Sequence, residues 1–185
     1  MFKKSNNEEM TWCISAEELV VQYDAGERNF AGITLSHFGH AQEGELKGIN
    51  LQGINLRGAN LHEAPLDGID LSGADLTGAI LKSASLEGAI LRKTKLYSAN
   101  LFWCCLVEAD LTDAILEEMN ASCANFRGSK LPGFGFSRAI LINTDFKDVN
   151  LSKYMICRSG NLIWDTIMPD GTIEKGPYVG SFNGY

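Results

Sequence analysis

Proline, cysteine and long apolar runs are scarce in this sequence. Proline accounts for only 4 of the 185 residues, against 19 glycines, which excludes Pro-rich linkers and a collagen-like repeat. The 5 cysteines are an odd number without framework spacing, so we expect reduced thiols. No window approaches the roughly 20 consecutive apolar residues of a membrane span, and the polar run at residues 6–9 is unlike a secretory signal. These absences predict a cytoplasmic protein with no membrane contact.

Motifs that carry catalytic or metal chemistry are absent as well. The sequence has no Walker A, HExxH, CxxC or GxSxG pattern. His37 and His40 form an HxxH pair, but no further ligand cluster joins them, so we interpret both as solvated loop residues. The neighbouring Cys104 and Cys105 are interpreted as small residues in core positions rather than a redox or metal site. We therefore predict no enzyme activity, no catalytic residue, no metal, no cofactor and no small-molecule substrate.

A period of five residues runs through most of the chain. From Leu46 to Ile156, every fifth residue is apolar, and 18 of these 23 positions are Leu. The residue two positions earlier is Ala in 11 cases, and the residue one position earlier is Asn or Asp in 11 cases. A step of five would spread the leucines around a helix and alternate them between the faces of a straight strand. The leucines share one side only if the chain turns a corner every five residues around a Leu-filled axis.

Glycine indicates how many sides make one coil. Two residues after successive leucines, the sequence runs Gly48, Gly53, Gly58 and Glu63, and the next four such positions again give three glycines and one other residue. This repeating pattern of three glycines and one other residue predicts four sides and about 20 residues per coil. Because glycine adopts positive φ readily, we expect three corners to use a glycine-dependent turn and the fourth corner to use a different one.

The blocks GANLH, GIDLS, GADLT and EADLT resemble the A(D/N)LXX pattern of pentapeptide-repeat proteins. The resemblance covers about two thirds of the chain. It implies an all-β solenoid, namely a right-handed quadrilateral β-helix of about 20 residues per coil. Both ends are similar to those of cyanobacterial members, with VVQYDAGERNF at residues 20–30 and MPDGT at residues 168–172.

The N-terminal end of the solenoid is predicted to carry a short helical cap. Ser15 and Glu18 fit a capping box, and the apolar stretch behind them stops at Gly26, which predicts a helix over residues 16–24 within an N-terminal segment 1–29.

The repeat domain is assigned to residues 30–158. Phe30 and Leu35 are expected to point inward, with one extra residue between residue 37 and Leu46 because the five-residue frame shifts there. Residues 159–185 are assigned to a C-terminal, hairpin-like cap and a tail, since the Pro-Asp-Gly sequence at 169–171 is a strong turn signal between two apolar pieces.

The net charge of −7 lies mostly at the two ends. Residues 44–158 hold 13 acidic and 12 basic side chains, a net of −1, whereas residues 1–43 carry −4 and residues 159–185 carry −2. Resemblance to the gyrase-directed family members would imply a DNA mimic that binds a topoisomerase, but such a mimic needs an acidic surface along the coils. The near-neutral coils disfavour that function, and an acidic chain is a poor partner for nucleic acid.

Apolar side chains cluster at predicted outward positions of the third coil, where comparable positions elsewhere are polar. They are Tyr97, Phe102, Trp103, Cys105 and Val107, with Ile142 two coils beyond Phe102. Such clusters are typical of interface hot spots. We predict a non-enzymatic, regulatory or scaffolding interaction module that presents a rigid β-helix surface to an unidentified protein partner or to a second copy. The alternatives are the DNA mimic and a structural repeat protein without a strong partner.

Overall fold

The computed structural model describes residues 12–36 and 46–179 of the chain. Its regular elements are short, because most of the repeat forms single-residue β-bridges at the middle of five-residue sides. In chain order the elements are β1 (Trp12–Ile14), α1 (Ala16–Asp24), β2 (Ile33–Leu35), β3 (Ile140–Ile142), α2 (Lys153–Ile156), β4 (Leu162–Trp164), β5 (Thr166–Ile167), β6 (Ile173–Glu174) and β7 (Tyr178–Val179).

Parallel bridges stack the chain into coils. Through the middle of the protein each bridge joins residues 20 positions apart, as in Ile80 with Asn100 and Asn100 with Asn120. Every fifth residue from Leu46 to Ile156 is at most 7% exposed, and Leu101 in the middle of the ladder is fully buried. Apolar burial on this scale, at roughly 25 cal/mol per Å², is the main source of stability of the rod.

Most corners of the coils use one backbone conformation, with positive φ, and Gly133 is an exception. Glycine corners such as Gly53 have φ near +67°, but the fourth-corner residues Ser83, Trp103 and Asn143 also have φ between +54° and +60°. The prediction of a different turn at the fourth corner is therefore wrong. These corner residues occupy the third position of a four-residue turn, where positive φ is required. The geometry of the coil imposes this φ on non-glycine residues at a cost of roughly 1–2 kcal/mol each.

The Asn and Asp residues that precede the leucines hold the corners from outside. The side-chain oxygen Oδ1 of Asn100 accepts the Phe102 N–H at 3.1 Å, and Asp110 accepts the Thr112 N–H at 3.0 Å. Several of the aspartates also pair with an arginine 18 positions earlier. These pairs are Arg57–Asp75, Arg92–Asp110 and Arg127–Asp145, at 3.3–3.8 Å. The carboxylates are thus parts of the scaffold.

Inner hydroxyl groups are satisfied by the neighbouring coil with one exception. Thr94 Oγ1 donates to the Leu71 carbonyl and Thr144 Oγ1 donates to the Ala121 carbonyl, both at 2.9 Å. Ser129 occupies the same inner position and is 1% exposed, but its Oγ has no hydrogen-bond partner among the described residues. A buried, unpaired hydroxyl costs on the order of 1–3 kcal/mol.

The helix α1 lies over the first coils. The Ser15 Oγ accepts the Glu18 N–H at 3.0 Å and the Glu18 carboxylate accepts the Ser15 N–H at 3.1 Å, which forms a capping box. Leu19 is buried at 1% exposure, and the Tyr23 hydroxyl donates to the Gln52 carbonyl at 2.8 Å.

The first complete coil is longer than the others. Phe30 and Leu35 point inward as predicted, at 0% and 6% exposure. The bridge between Asn29 and Asn55 spans 26 positions, however, so this coil carries six additional residues. The step from Leu35 to Leu46 takes 11 positions, six more than a regular side, so the coil is lengthened by more than the one extra residue that was predicted, and the insertion itself lies outside the described residues. His37 and His40 lie outside the described residues.

The last coil also departs from the repeat. Bridges from β3 to β4 span 22 positions, and the inward Ile156 lies in α2 rather than in a repeat side. Beyond β5 the chain reverses, so that β6 pairs antiparallel with β5 and β7 pairs antiparallel with β4. These pairings cover two of the open sheet edges that would otherwise invite association. In the part of the chain that the structure describes, no helix has the length and apolarity needed to cross a membrane.

Candidate functional site

The predicted surface residues lie on successive corners of one coil. The turn after Leu96 carries Tyr97, the next turn carries Phe102 and Trp103, and the turn after that carries Val107. With four corners per coil, Tyr97 and Val107 are diagonally opposite, so the six predicted residues do not form one continuous surface. The structure brings together Phe102 and Trp103, with Ile142 two coils further along the same corner.

Phe102 and Trp103 form an exposed aromatic pair. Their rings stack with centroids 5.9 Å apart and an interplanar angle of 11°. Trp103 is 64% exposed, whereas Phe102 is half-buried, and the Lys82 Nζ lies 5.5 Å from the Phe102 ring centroid. The Trp103 N–H donates to the Ser122 carbonyl at 3.0 Å, which fixes the corner in the ladder. The backbone that carries the pair is therefore anchored to the neighbouring coil.

Tyr97 belongs to a polar network instead. Its hydroxyl donates to the Glu118 carboxylate at 2.5 Å, and Arg138 contacts the same carboxylate at 2.9 Å. The hydrogen bond to Glu118, reinforced by desolvation, raises the pKa of Tyr97. A tyrosine held in this way contributes a polar contact rather than an apolar hot spot.

The two neighbouring cysteines of the third coil differ in burial. Cys104 points inward at 1% exposure in the position usually held by alanine, and burial raises the pKa of its thiol well above the ordinary range. Cys105 and Val107 are half-buried on the outer surface. Residues 12–36 and 46–179 contain no group of three or more side chains arranged to hold a metal ion.

An apolar sheet face at the C-terminal end extends the surface beyond the predicted residues. It consists of the outward residues of β3, β4 and β7, which we call the C-terminal apolar face: Ile140, Ile142, Leu162, Trp164 and Val179. Only Ile142 was among the predicted residues. Trp164 was missed because the 22-residue coil shifts it out of the 20-residue column, and Val179 because its pairing with Leu162 leaves no periodic signal.

A small apolar cavity lies at the capped end of the core. A cavity of about 10 Å³ lies beneath α1, lined by aliphatic side chains such as Leu19, Leu35 and Leu46. This volume is about that of one water probe. A cavity so small and apolar is a packing defect at the capped end rather than a binding site.

The comparison with protein families agrees with this geometry. A family model described as pentapeptide repeats matches 8 copies, over residues 42–73, 69–106 and 122–153, which is more than half of the sequence. The chain belongs to the pentapeptide-repeat family. Pentapeptide-repeat proteins are right-handed quadrilateral β-helices, generally without enzymatic activity, in which the stacked bridges and the buried leucine ladder are the repeating unit.

Solved structures of other pentapeptide-repeat proteins resemble this one. The protein Rfr23 of the cyanobacterium Cyanothece 51142 is 26% identical, with a TM-score of 0.54 over 69% of this chain and 97% of that chain. A pentapeptide-repeat protein of Nostoc Pcc 7120 is 26% identical, with a TM-score of 0.38 over 75% and 85%. QnrB1, a plasmid-mediated fluoroquinolone resistance protein, is 16% identical, with a TM-score of 0.35 over 73% and 89%. The search of curated proteins gave no match.

Proposed function

We propose that this pentapeptide-repeat protein is a non-enzymatic interaction module of the cytoplasm whose rigid β-helix presents the Phe102–Trp103 pair to a protein partner. The observation that carries the proposal is Trp103, a large side chain that is 64% exposed and has φ of +60°. It stands at a corner where the same column holds Ser83 and Cys123.

Trp103 gains little stability from burial at this corner. Its indole stacks on Phe102 but is 64% exposed. Tryptophan is enriched among interface hot spots. A binding role supplies the favourable contact that the free protein lacks.

The stack on Phe102 supports the same function. A ring already packed at 5.9 Å against its neighbour loses little rotamer freedom on binding. Lys82 beside the pair adds a cation at its edge. We therefore propose that the partner presents an apolar or aromatic surface with polar groups around it. The contact extends from the Phe102–Trp103 pair along the column toward Ile142.

The DNA-mimic alternative has weaker support. The coils carry a net charge of only −1, and several of their carboxylates are paired with arginines, as in Arg57–Asp75 and Arg127–Asp145. Inhibition of gyrase supercoiling by the purified protein would favour this alternative over the interaction module.

A pull-down from native cytosol with Trp103→Ala tests the proposal. The matched control is Phe134→Ala, because Phe134 is an aromatic residue with 53% exposure at the diagonally opposite corner. We expect Trp103→Ala to lose a specific partner that the parent and Phe134→Ala both retain, with unchanged thermal melts. Equal capture by all three proteins contradicts the proposal and favours a structural repeat protein without a strong partner at this corner.

A further inference from the structure

Two aromatic side chains on one side of the rod lie outside although the repeat places them inside. The inner column at 20-residue spacing holds Ala74, Thr94 and Ala114, all fully buried. The next two residues of this column are Phe134 and Tyr154, but Phe134 is 53% exposed and Tyr154 is 61% exposed. Two neighbouring coils therefore each present an aromatic ring to solvent where the repeat would bury a small residue.

The backbone of these two coils explains why both rings point outward. The Gly135 N–H donates to the Pro132 carbonyl at 2.9 Å, which closes a tight turn, and Gly135 has φ of +70° and is buried. A Cβ built on Gly135 would lie only 3.0 Å from the Met155 carbonyl oxygen. Glycine thus allows α2 to pack directly on this turn. The turn carries Phe134 and the helix carries Tyr154, each one residue before the point of contact.

Arg158 lies beside these rings without an acceptor for its donors. The centre of its guanidinium is 5.8 Å from the Tyr154 ring centroid, which is within the range of a cation–π contact. Its Nε is buried and has no hydrogen-bond partner among the described residues, and no carboxylate of those residues forms an ion pair with the guanidinium. Buried donors in folded proteins nearly always have a partner. We call Phe134, Tyr154 and Arg158 the Phe134–Tyr154 surface.

The charges around the surface favour a ligand with a single carboxylate. The two neighbouring cations already have partners, since Arg138 lies 2.9 Å from the Glu118 carboxylate and Lys153 of α2 pairs with Glu174. Arg158 is therefore the cation of this surface that no described carboxylate compensates. Its planar fork matches a carboxylate through two parallel hydrogen bonds. A polyanion such as nucleic acid needs several free cations, and the nearby Glu118 opposes one.

We propose that the Phe134–Tyr154 surface binds an acidic segment of a partner protein. One aspartate or glutamate of that segment pairs with Arg158, and an adjacent apolar residue packs on Phe134 and Tyr154. Binding supplies the acceptor that the guanidinium lacks and covers two exposed rings, and tyrosine and arginine are enriched among interface hot spots. This inference goes beyond the proposed function, because it assigns a surface on the other side of the rod from Trp103 and a different partner.

Selection from a phage-displayed library of random dodecapeptides on the immobilised full chain tests the proposal. We expect enrichment of peptides with Asp or Glu next to an aromatic or aliphatic residue. One enriched peptide, labelled with fluorescein, is then titrated with each variant by fluorescence polarisation. Arg158→Gln should raise its Kd at least about tenfold, because a hydrogen-bonded charge is lost. The matched control Arg138→Gln removes the same charge from a residue already paired with Glu118, so it should change the Kd by less than about twofold.

A double-mutant cycle identifies the contact itself. Exchanging the acidic residue of the peptide for its amide should weaken binding to the parent as much as Arg158→Gln does, and should have little further effect on Arg158→Gln, because both changes remove one interaction. Phe134→Ala should also weaken the peptide, whereas Trp103→Ala should bind it like the parent. The two aromatic variants therefore give opposite results here and in the pull-down, which separates this proposal from the proposed function. Thermal melts verify that each variant is folded.

Four results would overturn the proposal. The first is a selection that enriches no peptide, or only peptides without an acidic residue. The second is a loss of affinity in Arg138→Gln as large as that in Arg158→Gln. The third is additivity in the double-mutant cycle. The fourth is displacement of the peptide by a DNA duplex of random sequence, which would assign the surface to a polyanion.

Discussion

The left-handed corners predict that a glycine and a non-glycine corner respond differently to the same change. Gly78 and Ser98 stand in one corner column of adjacent coils, with φ of +68° and +54°. A Cβ built on Gly78 meets no atom within 4 Å, and its N–H donates to the Tyr97 carbonyl at 2.9 Å. Gly78→Ala therefore adds no clash and removes no hydrogen bond, so its cost is conformational alone.

The magnitude follows from two opposing contributions. A left-handed alanine costs roughly 1–2 kcal/mol, and the loss of glycine's freedom in the unfolded chain returns about 0.4–1 kcal/mol. We expect Gly78→Ala to lower the free energy of unfolding by about 1 kcal/mol, or the Tm by about 2–4 °C in a chain of this size. Ser98→Ala exchanges one side chain for another at the same φ and should stay within about 0.5 kcal/mol.

Urea unfolding followed by circular dichroism measures both variants against the parent. The slopes of the transitions should agree, so that midpoints report stability alone. If Gly78→Ala and Ser98→Ala leave the midpoint equally unchanged, positive φ carries no cost at these corners.

Two further predictions concern buried hydroxyls and carboxylates. Ser129→Ala should stabilise the protein by about 1 kcal/mol because it removes an unpaired buried Oγ. Thr144→Ala should destabilise it by about 1–3 kcal/mol because it breaks the hydrogen bond to the Ala121 carbonyl. Shifts of the same sign in the thermal melts of the two variants would contradict this. Burial acts to raise the pKa of Asp110, but hydrogen bonds from Thr112 and the nearby Arg92 outweigh it and lower that pKa. Asp110 therefore contributes stability that is present above the unfolded pKa of about 3.9 and lost as the pH falls through the lower folded value. Asp110→Asn keeps the Oδ1 acceptor but not the charge, so it should be less stable than the parent at pH 7 and lose less stability than the parent between about pH 5 and pH 2. Superimposable acid titrations would contradict this.

The sequence determined the inner ladder because each side obeys the same local rule. One leucine in five, a small residue before it and an Asn or Asp between them place Leu101, Ala99 and Asn100 without any knowledge of other coils. The turn at the fourth corner was not predictable in this way. Residue preference suggested a different turn at Ser83 and Trp103, but closing a four-sided coil imposes positive φ on most corners, whichever residue stands there.

The two ends escaped prediction for another reason. A periodic pattern measures distance only while the period holds, and the coils of 26 and 22 residues interrupt it. The five-residue repeat therefore could not predict that Trp164 lies beside Ile142. The antiparallel pairing of Val179 with Leu162 joins segments through contacts that no repeat encodes. As a result the aromatic pair was identified from the sequence, whereas most of the C-terminal apolar face emerged from the structure.

The outward side chains of the corners have a consequence for how such a protein changes over time. A glycine corner such as Gly53 or Gly78 has open space where its side chain would begin, and the residues beneath are fully buried leucines. A substitution at a corner therefore alters what the rod displays without repacking its interior. The coil spacing of about 4.8 Å places these corner positions at regular intervals along the rod. A new recognition surface can therefore arise by single corner substitutions, each with a small and separate loss of stability.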